Sequence, residues 1–444
     1  MSERNYPMLL VYTHKITPRL TYIFKHIFTR ILNVQVNFTL KIEDFIAHEG
    51  LKMSYGRQQL GNEFFVRSTD LLFDQGIDYW DPQITEWEEI PIFFQVSAPS
   101  MMPFDIFSAS FYLLSRYEEY LPHVKDEFER FPASESFAYQ QKFLHKPIID
   151  IWSYKLRDLL QKRFPDFVFE KREFKLISTI DVDMAYCYRH KGFIRNLGGL
   201  LKDLAQLQFQ KIVERLLIVF NLRKDPYDIY EDLIELHKKY DIELIFFFLL
   251  SNYTSFDKNI SVNNSRFKLL IKDLADYVSI GLHPSYFSMK DEQKIKEEKK
   301  RLDNILNYPV KKSRHHYLRI ELPETYQYLL DLEINEDYTM GFAKHYGFRA
   351  GTCTPFYFYD LDFEIQTPLK IFPFAVMDGT LKDYLNYTTK RSFDTMSKLL
   401  DEVKKVDGTM ITIFHNESLS GTGRWKGWNK KFEEFLAKAN GEKE

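Results

Sequence analysis

The stretch Lys175-Leu176-Ile177-Ser178-Thr179-Ile180-Asp181-Val182-Asp183 decides how this chain is read. Residues Phe174–Ile180 have strand character, and they run directly into two carboxylates one residue apart. Side chains on a strand alternate between its faces, so Asp181 and Asp183 project to the same side if the strand continues. Carboxylates so placed can divide labour. One binds a divalent cation; its neighbour, biased in pKa by that charge, acts as general base. A D-x-D after a strand also suits an ordinary loop cap, so the reading turns on the other strand ends.

Working outward, further strand-like runs are Glu243–Leu250, Tyr277–Leu282, Tyr317–Ile320 and Met410–Phe414. Helical stretches lie between and after them, at Pro226–Tyr240, Met289–Leu306, Pro323–Leu332 and Ser392–Val406. This alternation predicts βαβ units and a parallel sheet, open or closed into a barrel. Enzymes on such sheets place polar groups at the carboxyl ends of their strands. Here YVSIGL ends at His283, and TMITIF ends at His415-Asn416-Glu417. Arg314-His315-His316-Tyr317-Leu318-Arg319 adds two histidines and two arginines in six residues. Neutral imidazole suits a metal, and a guanidinium can hold a carboxylate through two bonds. Singly, each also reads as a hydrogen-bonded structural histidine or a basic loop facing water. Three of five strand ends carry Asp or His, and the set is more informative than its members.

With 444 residues the chain has room for two or three domains. Its 45% hydrophobic and 28% charged content is that of a soluble globular protein. Forty Phe and 28 Tyr suit a large aromatic core before they suit sugar-stacking surfaces. A net charge of −3 gives no case for a nucleic-acid partner, and the basic run Lys296–Arg301 reads as a solvated helix face. Cys187 and Cys353 form no metal or disulfide pattern, as expected in a reducing compartment. Met1–Met8 has no leader character, and the longest apolar run, Ile242–Leu250, is too short to span a bilayer. A cytoplasmic protein without a membrane span is therefore expected. The charged stretch Arg163–Arg172 separates two textures. Residues 1–165 are expected to form a smaller α/β domain, with a strand at Met8–Tyr12, a helix after Pro18 and an amphipathic helix carrying Phe104, Phe107, Phe111 and Leu114. Asp78, Trp80, Asp81, Trp87 and Glu88 read as solvated loop rather than sugar groove.

In order and spacing, the segments STIDVD, SIGLHPSY, RHHYLR and ITIFHN resemble the polysaccharide deacetylase (NodB-homology, carbohydrate esterase) family over about 270 residues. FRAGTC and MDGTL point to a divergent bacterial branch with an extra N-terminal domain of unknown function. The resemblance implies a distorted (β/α) barrel over residues 172–444, preceded by the smaller α/β domain. It implies metal-dependent removal of N- or O-acetyl groups from a carbohydrate or sugar conjugate, with zinc the expected ion. Asp181 would be the base, Asp183 and His283 metal ligands, and His415 the acid that protonates the leaving group. Arg314 and Tyr317 would form one wall of the groove, and Arg314 or Arg319 would hold Asp181 or touch substrate.

Where the family has a second histidine four residues after the first, this chain has Phe287. His316 is the expected replacement and His315 its neighbouring option. No clean fourth motif is present; Arg349 and Asp378 orient the base or meet substrate, together with Tyr286, or else belong to structural ion pairs. Two other readings compete. Asp181 and Asp183 could serve a glycosidase, whose carboxylates stand about 5–10 Å apart, which leaves the histidines unexplained. Alternatively an eroded site, for which Phe287 speaks, binds a glycan or a partner without turnover. A cytoplasmic substrate would be a nucleotide- or lipid-linked sugar or an envelope precursor.

Overall fold

A computed structural model describes residues 8–441; the reading of Met1–Met8 as leader-free falls, Met8 apart, outside the described residues. Four parallel strands, β1 (Met8–Tyr12), β2 (Gln35–Thr39), β3 (Lys52–Gly56) and β4 (Phe65–Arg67), form a first sheet in the order β2-β1-β3-β4. A small antiparallel pair follows, β5 (Thr85–Trp87) and β6 (Ile90–Ile92). The rest of the chain builds one large sheet from β7 (Lys175–Val182), β8 (Glu243–Leu249), β9 (Ser279–His283), β10 (Lys312–Ser313), β11 (Glu336–Asp337), β12 (Phe356–Asp360), β13 (Ile365–Ile371), β14 (Val376–Met377) and β15 (Thr409–His415). Its order is β12-β13-β11-β10-β9-β8-β7-β15-β14. All its pairs are parallel except β12 with β13.

Every residue of β7 after Lys175, and of β8 after Glu243, is buried. A strand covered on both faces carries a continuous apolar or β-branched run rather than an alternation, which is why KLISTIDV and ELIFFFL read alike. The expected strand at Tyr317–Ile320 is corrected. The strand is Lys312–Ser313, and His316–Leu318 is a short 3-10 turn with Tyr317 at φ 59°. Leu318 and Ile320 produce the apolar alternation by being buried beneath that turn, not by pairing in a sheet. The expected helix around Phe107 and Phe111 is Ile106–Leu114, but it is buried on every side rather than amphipathic. Asp105 caps it by accepting from the backbone N–H groups of Phe107 and Ser108.

One continuous core contains Leu9 and Phe107 as well as Phe246 and Phe414, so both sheets pack on common ground. Polar groups cross it too. Glu119 receives Arg116 and Arg349, and Asp150 receives Arg172, Thr352 and Thr354. A smaller cluster unites Ile177, Ile245 and Ile411 with Leu318, Phe372 and Met377. Cys187 and Cys353 are both free. Among the described residues no helix is long and apolar enough to cross a membrane.

Candidate metal centre

Strand register brings the chemistry together. His415 on β15 stands opposite Asp181 on β7, Asp181 opposite Phe247 on β8, and Phe247 opposite Gly281 on β9. A Cβ on Gly281 would lie 2.4 Å from the Phe247 ring, so only glycine lets that ring lie across β9. The ring in turn carries the Arg314 guanidinium 4.5 Å from its centroid. From there Arg314 donates to Asp181 Oδ1 at 2.8 Å and to the Tyr338 carbonyl at 3.0 Å. The carboxylate of Asp181 is thereby fixed near the carboxyl end of β7.

Asp183, His283 and His316 each offer one ligand atom, and the three atoms lie within 4.8 Å of one another. His283 Nε2 is 3.2 Å from Asp183 Oδ1, and His316 Nε2 is 3.4 Å from Asp183 Oδ2. Four-coordinate zinc with bonds of about 2.0–2.1 Å needs ligand-to-ligand edges of about 3.3 Å. Asp183 Oδ1 is moreover a buried acceptor without a hydrogen-bond partner. Both imidazoles are held from behind. His283 Nδ1 is bonded to the Arg314 carbonyl, and His316 Nδ1 to Asp257 Oδ1 at 2.8 Å. Such partners fix which nitrogen faces a cation and raise its basicity. The donor set and its spacing fit a small divalent ion of the zinc class.

With no cation bound, the carboxylates of the centre draw protons to His316 and His415. Burial pulls His316 down, but the Asp183 charge outweighs it and raises its pKa to about 9. Burial would push Asp183 up, yet the charge of His316 and the nearby His283 imidazole hold it well below the usual carboxylate range. His415 Nδ1 lies 2.8 Å from Asp378 Oδ1, and its backbone N–H donates to Asp378 Oδ2 at 2.8 Å. Burial opposes its charge, but Asp378 prevails and holds its pKa well above the ordinary histidine value.

These groups surround a cavity of about 340 Å³. Asp181, Asp183, His283, His316, Tyr317, Asp378 and His415 line it, with Arg314 bonded to Asp181. Arg319, Tyr286 and Arg349 do not line it, which corrects their expected contact with substrate or base. The Arg319 guanidinium is spent on the Phe128 and Tyr286 carbonyls and on Glu129. Tyr286 stacks on Phe256 with centroids 3.8 Å apart. Arg349 is sealed against Glu119 and the Gly341 carbonyl, the ion-pair alternative of the two expected for it. Asp378 acts on His415 rather than on Asp181. His315 does line the cavity, but it lies outside the three-ligand group; burial, then His283 and Arg319, push its pKa down to about 3.

Sequence reading missed Asp257, although extending the strand-end rule into the loop after Glu243–Leu250 would have reached it. It also missed Arg130, which lines the cavity and donates to the Tyr317 carbonyl at 2.8 Å. No local pattern marks Arg130, because it arrives from the first half of the chain.

A model of a family of unknown function, DUF7033, matches residues 9–165. No curated protein matches. Among solved structures, the chain is similar to a candidate polysaccharide deacetylase from Mycobacterium smegmatis, at 12% identity and a TM-score of 0.38, over 61% of this chain and 85% of that one. It is similar to a polysaccharide deacetylase from Bacillus cereus at 11% identity and a TM-score of 0.32, over 60% and 88% of the two chains. A CE4 family pseudoenzyme from Bacillus anthracis gives 11% identity and a TM-score of 0.30, over 61% of this chain and 62% of that one. At such scores these are likenesses only, and the functional reading rests on the residues and their geometry.

Proposed function

We propose that the chain is a metal-dependent hydrolase that removes acetyl groups from a carbohydrate or sugar conjugate. The observation that carries this reading is the meeting of Asp183, His283 and His316 in one cavity with Asp181–Arg314 and His415–Asp378. Asp183, His283 and His316 would hold a divalent ion of the zinc class, which would supply positive charge towards the attacking water and the acyl carbonyl. Asp181, held by Arg314, takes the proton from the attacking water. His415 Nε2, charged at neutral pH because of Asp378, returns a proton to the departing sugar nitrogen or oxygen. Tyr317, at the rim, offers a face to the sugar ring. The fold that goes with this reading is a distorted (β/α) barrel over residues 172–444, after an α/β domain at 1–165. Support for a curved sheet comes from the cluster that joins Ile245 of β8 with Phe372 and with Met377 of β14.

Elemental analysis of the purified chain beside Asp183→Ala and His283→Ala tests the centre. About one equivalent of zinc in the parent, lost in both variants, is expected. Asp181→Asn should keep the metal and lose turnover of acetylated sugars; retained turnover would remove Asp181 from the role of base. A second reading, a site that holds glycan without hydrolysis, rests on Phe287 standing where the family has its second histidine. Metal without turnover on any acetylated sugar would favour it.

A further inference from the structure

Between β7 and β8 the chain makes two amphipathic helices, Phe193–Ala205 and Phe209–Val219, most of whose apolar side chains are exposed. A helix on the surface of a soluble domain turns its apolar stripe inward. Here the side turned inward carries an ion pair beside the buried Ile218. Asp203 is buried and meets Arg215 at 2.7 Å, and the Arg215 guanidinium lies 4.7 Å over the Tyr188 ring. Gly199 leaves room for that guanidinium, which a Cβ there would approach to 2.5 Å.

The outward side is apolar. Phe193, Ile194, Leu197, Leu201 and Leu204 follow helical spacing along one face of the first helix, and all five are exposed. Leu207 between the helices and Phe209, Leu216 and Phe220 on the second continue the stripe. In all, twelve large apolar side chains from Phe193 to Leu222 are exposed, Ile194 to 84%. Monomeric soluble proteins scatter such residues singly; a contiguous patch marks an interaction site.

Charge selects the occupant. Residues 189–224 hold eight Lys or Arg against two Asp or Glu, in a chain whose net charge is −3, and Lys202, Lys211, Arg223 and Lys224 among them are exposed. An apolar stripe flanked by cations is what an interfacial helix presents to anionic headgroups, with its apolar side sunk into the acyl boundary. We propose that the hairpin 193–222 docks the protein on an anionic lipid surface without crossing it. The hairpin is tied to the loop that carries Lys258 into the cavity lining. Arg195 donates to the carbonyls of Asn259 at 2.9 Å and Lys258 at 2.6 Å, and Lys258 lines the cavity. Docking therefore brings that loop towards the headgroup layer, where a lipid-linked sugar would present its acetyl group. This last consequence rests on the deacetylase reading, whereas docking itself does not.

The test is flotation of the full chain with vesicles of phosphatidylcholine alone, or with one third phosphatidylglycerol, at low and high salt. Binding to the phosphatidylglycerol vesicles, weakened by salt, is expected. The triple variant Ile194→Glu, Leu201→Glu, Phe220→Glu should bind at least about tenfold more weakly, because it places charge on the inserted face. Its metal content should match the parent's, which separates docking from the centre. Should that variant not fold, Leu207→Glu with Leu222→Glu, both outside the helices, serves instead. No flotation with either vesicle, or equal flotation of the variant, overturns the proposal. So does a lipid-free dimer that these substitutions dissociate, since a second copy would then cover the stripe.

Discussion

At the residue scale, His316 and His415 are each backed by a carboxylate, and each carboxylate is testable. Asp257 holds His316 from behind, so Asp257→Asn should weaken metal binding by about 10–100-fold while leaving turnover at saturating metal. Competition with a chelator measures this. A loss below about threefold would mean that the loop, not Asp257, sets the ring. Asp378 keeps His415 charged. Removing its charge in Asp378→Asn lets the proton leave at lower pH, so the alkaline limb of the pH–rate profile should move to lower pH. Metal content should not change. An unmoved limb would take His415 out of the role of acid. Asp181, His283 and His415 were legible because each follows an apolar run. Of the pair His315 and His316, His316 was the expected ligand and His315 the option, and His316 is the one that faces Asp183. They are adjacent, and the left-handed backbone at Tyr317 belongs to a turn that local apolar alternation disguises as a strand.

At the element scale, helix Glu292–Leu306 supports the loop after β9 through a buried carboxyl. Glu298 accepts from the Ser285 N–H at 2.9 Å, and burial, opposed by that hydrogen bond, pushes its pKa up to about 7. A free glutamate titrates near about 4.3. The folded chain thus holds this proton more tightly than the unfolded chain does. Stability from this group is fully present below the unfolded value and declines as pH rises through about 7, by roughly 3 kcal/mol. Glu298→Gln should abolish that slope. Urea unfolding at pH 5 and pH 8 would show the variant gaining about 3 kcal/mol on the parent between the two. A parallel pair of pH dependences would show that Glu298 ionises freely. That Met289–Leu306 would be helical was plain from its charged periodicity; that one of its glutamates turns inward was not, since a lone carboxylate in a charged run looks solvated.

At the scale of the whole molecule, the two halves are tied through groups that neither half can satisfy alone. Glu119 sits between Arg116 and Arg349, and all three are buried. The two guanidiniums outweigh burial and hold Glu119 at a pKa of about 2. Glu119→Ala would leave two buried cations short of a partner, a change that costs about 3–5 kcal/mol when a buried pair is broken. Denaturant unfolding measures that loss. Metal content of the folded fraction should be unchanged, because Arg349 does not line the cavity. If metal is lost in step with stability, the two regions are coupled more tightly than their contacts imply.

The sequence by itself determined the long buried strands and the motif residues at their ends. Runs such as KLISTI and TMITIF must be buried to be stable, and the polar residues that end them are left at one edge of a parallel sheet. The tertiary structure alone decided the pairings. Asp257 reaches His316, Asp378 reaches His415, Arg130 enters from the first half, and Arg319 and Arg349 are consumed elsewhere. The physical reason is range. Burial and strand propensity act between near neighbours in the chain, whereas a buried charge takes whichever counter-charge the packing of distant segments brings within about 3 Å.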